Sequence, residues 1–384
     1  MSTATAGNTR TAGAPEGSAP VWEVAVCRDG EEFGRLGPDW TGLYRRCATA
    51  TPFQAHSWLH SWWISYGTPG RLRVVLVRRD GLLVAAVALW LVRGPVPVLT
   101  HLGGPISDFS DVLVDDAHAA EAVPVLTGAL GRLARTAVID LREVRAEAAA
   151  QRVYAAWRGP RRRLADSVCM ELPAAPIDEL VGRLPSSRAQ RARSKLRKLD
   201  KLGIEECAVP PDGVPEALRR LLDLHRRQWA ERGVTPEHLR PRFAEHLERA
   251  VRSMVESGDA MVTEFRIAGE VVAADLSLMS PLLSGGYLYG ADPVLRTSKV
   301  DVATLLLRNG ARESSASGRT TLSLLRGREP YKSHWRPEPA VNQRLLLARP
   351  GTAAPLLLLA GYAAGRRWAA DRLRDRDWVR RFVR

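Results

Sequence analysis

The sequence predicts an α/β protein of the mixed α+β kind. It reads as two tandem halves with a basic helical segment between them and a helix at the C-terminal end. Three observations lead there. The chain has 384 residues, a length that divides naturally into two domains with ample material for a core. Strand-like runs bounded by turn residues occur in both halves and alternate with stretches of helical periodicity. Near the end, a short apolar run, Leu322–Leu325, breaks at Gly327 and Pro330 and places Tyr331, Lys332, His334 and Trp335 straight after the turn. A turn at the end of a buried strand is a common place for working side chains, because the sheet presents them at its edge.

Composition bounds the function before any motif does. Hydrophobic residues make up 45% and charged residues 26%, the balance of a soluble globular chain. The net charge of +14 and pI near 10.3 imply an anionic partner: a phosphorylated cofactor, a nucleic acid or an acidic membrane surface. Part of the excess is arginine in an Ala-, Arg- and Gly-rich chain, so charge alone does not choose among the three. Cys27, Cys47, Cys169 and Cys207 are scattered without CxxC spacing, which supplies no zinc or redox motif and suits a reducing cytoplasm. Residues 1–20 lack the apolar core of a signal peptide and read as a disordered lead-in. The longest apolar run, Pro355–Ala364, is about half of what spanning a bilayer needs.

In chain order, Val21–Val26 alternates weakly as a first strand and Asp39–Cys47 as a short helix. In the next segment Ser57 is a candidate cap for a helix carrying Trp58, Trp62 and Trp63, aromatics that at this spacing belong to a core; Gln54 and His56 are open to a pocket reading. Arg71–Arg79 and Leu82–Val92 flank Asp80-Gly81, a strong hairpin signal. Val98–Leu102 leads into a Gly-Gly-Pro turn and the Ser107–Val114 run, where Asp108 and Asp111 either line a cleft or cap turns. A helix over 117–136 and a strand at Val138–Leu141 follow, then a basic turn at Arg158–Arg163 and a strand near Val168–Leu172.

Ser186–Lys201 puts Arg188, Arg191, Lys195 and Lys198 on one helical face, either solvated or set against phosphates. Pro215–Trp229 is amphipathic, with His225 on its apolar stripe beside Leu218, Leu221, Leu222 and Trp229. Ala260–Ile267, Glu270–Met279 and Leu283–Tyr289 form a meander turned at Ala268-Gly269 and Ser284-Gly285-Gly286. Asp275 interrupts the middle strand, where a carboxylate must be partnered, exposed or functional. A loop, Arg296-Thr-Ser-Lys-Val-Asp301, opens a helix from Val302, with Asp301 as its candidate N-cap.

The stretch Leu324-Leu-Arg-Gly-Arg-Glu-Pro-Tyr-Lys-Ser-His-Trp335 resembles the closing motif of the BioF2-like acetyltransferase domain, the family of the CelD (BcsL) cellulose-biosynthesis proteins within the GNAT superfamily. That family is related in architecture to the Fem aminoacyl transferases. The Pro52-Phe…Trp58…Trp62 start, the Ser107-Asp-Phe segment, the basic helix and the Leu224-His-x-x-x-Trp229 helix are similar to it too, so the resemblance covers about residues 40–345. It implies two GNAT-like halves, 21–175 and 176–348, between the lead-in 1–20 and an amphipathic helix over 349–384. It further implies an acyltransferase moving an acetyl group from acetyl-CoA to an amine or hydroxyl, a sugar or polysaccharide precursor being one acceptor class. The catalytic candidates are Lys332 (charge stabilisation), Tyr331 (proton donor to the thiolate), Asp275 and His225 (base). Arg296, Thr297, Ser298 and Lys299 would hold the pyrophosphate, and Arg326, Glu329 and Trp335 the acceptor side. No metal is implied.

Two departures stand against the family pattern. The pyrophosphate loop has Lys299 and Asp301 where the superfamily carries glycines, and Ser323 stands where many relatives have Asp. Transfer from an aminoacyl-tRNA is therefore the alternative within enzymes, with tRNA as partner. A non-catalytic nucleic-acid- or membrane-binding scaffold is the alternative outside them. The expected location is the cytoplasm, with the tail either packed on the body or resting on the inner membrane surface.

Overall fold

The computed structural model describes residues 19–229, 235–327 and 329–382; of the expected lead-in, residues 1–18 lie outside the described residues. One mixed sheet organises the molecule. Its first seven strands are β1 (Trp22–Cys27), β2 (Leu72–Arg79), β3 (Leu82–Val92), β4 (Val98–His101), β5 (Leu113–Val114), β6 (Val138–Val144) and β7 (Arg161–Pro173). The remainder are β8 (Glu205–Ala208), β9 (Ala260–Ile267), β10 (Glu270–Met279), β11 (Leu283–Ala291), β12 (Thr321–Arg326) and β13 (Glu338–Leu347). The spatial order is β1-β2-β3-β4-β6-β13-β7-β12-β11-β10-β9-β8, with β5 paired to β3 at the side.

The order is a repeat. Each half is an antiparallel meander that ends in a short parallel pair, β4 with β6 and β11 with β12, joined by a crossover whose long helix is Ala119–Leu133 or Val302–Ala316. The sixth position of each half is filled by the last strand of the other. β13 pairs with β6, β7 pairs with β12, and β7 and β13 pair with each other. The mixed α+β class and the GNAT-like order expected from the sequence are what the structure shows. The boundary expected at 175/176 follows β7 directly, and strand pairing crosses it in both directions.

Local chemistry explains the turns. Asp80 (φ 51°) and Gly81 (φ 80°) both sit in the left-handed region that a two-residue hairpin turn requires, as do Ala268 (φ 51°) and Gly269 (φ 82°). A glycine suits that region freely, whereas Ala268 costs about 1 kcal/mol there.

On one face a single core crosses both halves: helix His56–Tyr66 packs against helix Pro241–Glu256, Ser61 Oγ donates to His246 O at 2.9 Å, and Trp58 is fully buried among them. Trp58 and Trp62 are thus core residues, and Trp63 is partly buried against that core. On the other face each half has its own core, under helix Ala119–Leu133 in the first and under helices Ser186–Lys201 and Val302–Ala316 in the second.

Several local expectations are corrected. Ser57 does not cap: the helix starts at His56 after Ala55, with no side-chain cap. The expected basic turn at 158–163 is shorter, because Arg161–Arg163 already belong to β7 and pair with Leu345–Leu347. Gln54 and His56 face structure, not a pocket. The Gln54 carboxamide accepts from Thr51 N and Oγ1, and the His56 ring lies 2.8 Å from Phe33 O. Asp111 is a cap, accepting from Ala149 N and Ala150 N at 2.8 Å ahead of helix Ala150–Ala156, even though burial pushes its carboxyl up to about 7.

Candidate active site

The candidate cleft opens where β11 and β12 part. They pair only at Leu283/Thr321, Ser284/Leu322 and Gly285/Ser323, after which a bulge in β11 at Tyr287 shifts its register against β10. Beyond that point the strands diverge and leave a small cleft of about 90 Å³ between sheet and helix Val302–Ala316. Asp275, Ser277 and Tyr289 line it from the sheet, Leu306 from the helix, and Tyr331, Lys332 and Trp335 from the turn after β12. In the first half the corresponding split is plugged by the chain itself. There Ser110 N donates to Glu143 O of β6, and Phe109 is buried beneath Arg145.

Asp275 points into the cleft from the face shared with Ala273, as strand alternation dictates. It is 4% exposed, and burial raises its carboxyl to about 7, against which the Ser277 Oγ donor at 2.8 Å works only partly. A carboxyl poised there gains or loses a proton near neutrality, the property a general base needs.

Lys332 is 3% exposed, which for a lysine demands partners. Its Nζ donates to Arg326 O at 2.8 Å and pairs with Glu329 at 2.7 Å. The ammonium is therefore fixed at the cleft wall by the turn that Gly327 (φ 110°) permits; a Cβ at Gly327 would lie 2.4 Å from the Glu329 carboxylate. Tyr331 is half-exposed, and its phenol is pushed above its ordinary range by desolvation and by Glu329, which keeps it a proton donor.

A basic groove adjoins the cleft. Arg188, Arg191 and Lys195 of helix Ser186–Lys201 line it with Asp301, Thr304, Tyr331, His334 and Trp335, and Ala303, Tyr331 and Trp335 border both spaces. The face of the basic helix expected to be either solvated or phosphate-facing is thus turned toward the Tyr-Lys turn. Lys198 is committed elsewhere, donating to Ser298 O at 3.0 Å and Lys299 O at 2.8 Å.

The segment that the resemblance assigns to pyrophosphate is partly helical. Pro293–Thr297 is a short helix, and Lys299 takes φ 54°, the conformation a glycine would supply. Asp301 caps helix Val302–Ala316, accepting from Thr304 N at 3.0 Å, and forms an ion pair with Lys195. Burial opposes its ionisation, but Lys195 and the Thr304 N–H hold its carboxyl below the usual range. Thr297 Oγ1 is turned back onto Val294 O at 2.8 Å; Thr297, Ser298 and Lys299 are exposed, and the Arg296 side chain lies outside the described residues.

Two predicted residues go elsewhere. His225 does not reach the cleft, because helix Val214–Trp229 packs on the opposite face of the sheet, in the core that crosses both halves. Its Nδ1 is bonded to Tyr289 O at 2.7 Å, and its Nε2 lies 3.2 Å from His238 Nδ1. The Trp229 side chain lies outside the described residues. Arg326, expected near the acceptor, instead ties the halves together. Its guanidinium holds Asp108, Glu143 Oε1 (3.3 Å) and Pro105 O (2.6 Å), and these carboxylates keep it protonated against the pull of burial. Asp108 is accordingly a partner of Arg326, not a wall of this cleft. Glu329 serves Lys332, and Trp335 is buried between cleft and groove. Ser277 and Tyr289 were not singled out beforehand, whereas His334, named with the turn, lines the groove. Ser277 and Tyr289 were findable, since Ser277 stands two residues from Asp275 and Tyr289 pairs with it in register.

Residues 186–333 match a family model described as an acetyltransferase (GNAT) domain. The fold of the chain is GNAT-like over most of its length. It is similar to the crystal structure of FemX at 13% identity and TM-score 0.61, covering 88% of this chain and 99% of that one. It is also similar to the C-terminal domain of a putative lysylphosphatidylglycerol synthetase from Agrobacterium fabrum (12% identity, TM-score 0.54, covering 86% and 96%). The third likeness is to L-PGS from Bacillus licheniformis (11%, TM-score 0.53, 86% and 96%). No curated protein matches the chain in sequence.

Proposed function

We propose that the chain is a GNAT-type acyltransferase that moves an acetyl group from acetyl-CoA to an amine or hydroxyl, in the manner of the BioF2-like and CelD proteins, with a sugar or polysaccharide precursor as one acceptor class. Residues 176–348 are the catalytic half, 21–175 the half whose own split is closed, and the cytoplasm the place of action. The single observation that carries this reading is the β11/β12 split, opening on Asp275 and Lys332. The acceptor enters the cleft and attacks the thioester carbonyl directly; Asp275 takes its proton, Lys332 steadies the negative charge that grows on the carbonyl oxygen, and Tyr331 returns a proton to the leaving thiolate. Arg188, Arg191 and Lys195, one wall away, face the phosphates of the donor.

A second reading is transfer from an aminoacyl-tRNA. It is favoured by one observation: Asp301 already occupies the helix end where a GNAT loop holds pyrophosphate, while the basic groove beside it stays open to a larger polyanion. Calorimetric titration with acetyl-CoA, run beside bulk tRNA at two salt concentrations, separates the two. Saturable one-to-one acetyl-CoA binding supports acetyl transfer. Salt-sensitive tRNA binding without CoA binding supports aminoacyl transfer, and binding of neither overturns both.

A further inference from the structure

We propose that the C-terminal helix is a docking surface for an anionic lipid bilayer, lying in the interface and not crossing it. Helix Ala353–Phe382 starts on the body: Thr352 Oγ1 donates to Ala134 O at 2.7 Å, and Leu356 is buried against Val138, Leu346 and Ala348. Leu359 and Ala360 complete that contact.

The opposite arc should then be polar, as on an ordinary surface helix, and it is not. Leu357 is 54% exposed, Leu358 67%, Tyr362 65% and Trp368 64%. At about 100° per residue these four span an arc of about 140°. Leu357 and Leu358 face away from the body, while Tyr362 and Trp368 also border a groove beside Arg142, Asp166 and Arg344 of the sheet. Arginines sit among them, with Arg366 over the Tyr362 ring at 5.8 Å and Arg372 over the Trp368 ring at 5.2 Å. An outward face of leucine, tyrosine and tryptophan interleaved with arginine matches the headgroup layer, where aromatic rings and long cationic side chains both find their preferred solvent.

Charge decides between a membrane and a second copy of the chain. Residues 353–384 hold eight arginines against three aspartates, on a protein of net charge +14. Pairing two such helices sets arginine against arginine, whereas an anionic leaflet attracts each one. Among the described residues no helix is long and apolar enough to cross a membrane, and a helix lying flat needs no such length. The side chains of Leu373, Trp378 and Phe382 lie outside the described residues and are not used.

The test is co-sedimentation of the full chain with vesicles of phosphatidylcholine alone and of phosphatidylcholine with phosphatidylglycerol, at low and high salt. Light scattering of the free protein runs alongside. Wild-type protein is expected to sediment with the anionic vesicles, less so at high salt, and to stay in solution with the neutral ones. Leu357→Ser with Leu358→Ser is expected to weaken partitioning roughly tenfold or more, from the apolar area withdrawn. Both side chains are exposed, so the fold survives, which the melting temperature checks. Arg366→Gln with Arg372→Gln is expected to flatten the salt dependence. Sedimentation that is absent, or equal for wild type and the leucine variant, overturns the proposal. So does a wild-type dimer that the leucine variant dissolves, since the face would then belong to a second copy.

Discussion

Replacing Asp275 with asparagine tests the chemical core of the site without knowing the acceptor. Asn keeps the shape and the bond to Ser277 but has no charge to lose. In the folded protein the Asp275 carboxyl is raised from 3.8 to about 7 by burial. A group whose folded value lies above its unfolded one binds more protons when folded, so stability falls as pH rises through the window between about 3.8 and 7. At 1.36 kcal/mol per unit, ionised Asp275 costs the folded state about 4 kcal/mol above pH 7, and little below pH 4. Asp275→Asn removes that cost. The expected result is a variant close to wild type in urea stability at pH 4.5 and several kcal/mol more stable at pH 8.5. Asp111 is also raised to about 7, but it is present in both proteins and cancels in the difference. A stability difference that does not change between the two pH values refutes the buried, proton-poised carboxyl, and with it the base role.

Other expectations follow from the same geometry. Lys332→Met should lower kcat by about 10²–10³, the usual loss for one charge-stabilising donor, while leaving donor affinity measured by calorimetry near wild type. Asp301→Asn keeps a capping side chain but removes the anion beside the groove. Calorimetric titration should therefore show acetyl-CoA binding severalfold tighter, and unchanged binding would mean that the phosphates lie elsewhere. Arg191→Gln should reduce the slope of log affinity against log salt by about one for a nucleic-acid donor, leaving a slope equal to wild type only if the residue meets no phosphate.

The local elements were largely legible. Asp-Gly and Ala-Gly between apolar runs named two hairpins, Asp301 announced a cap, and the charge spacing of 186–201 gave a helix of the observed length. The Tyr-Lys turn was visible because a buried strand stops at glycine and proline, which leaves few other conformations. What stayed hidden were contacts between distant parts. Arg326 meets Asp108 across 218 residues, and no periodicity encodes that partner. His225 illustrates a second limit: an apolar stripe shows that a helix packs on a sheet, not which face it covers, and here the face decides whether the ring reaches the cleft. Lys332 was recognised, yet its fixation by the carbonyl of Arg326 was not, since main-chain acceptors leave no mark in a sequence.

The exchanged strands set a schedule for synthesis. β6 leaves the ribosome roughly 200 residues before β13, its neighbour, is complete. At ordinary elongation rates of 5–20 residues per second, the first half therefore waits about 10–40 s with one sheet edge bare. β7 emerges in that interval with neither of its final neighbours made, since β12 and β13 both follow. Nascent chains halted before residue 338 should accordingly recruit chaperones and resist folding, and the protein acquires its two halves together, at the end.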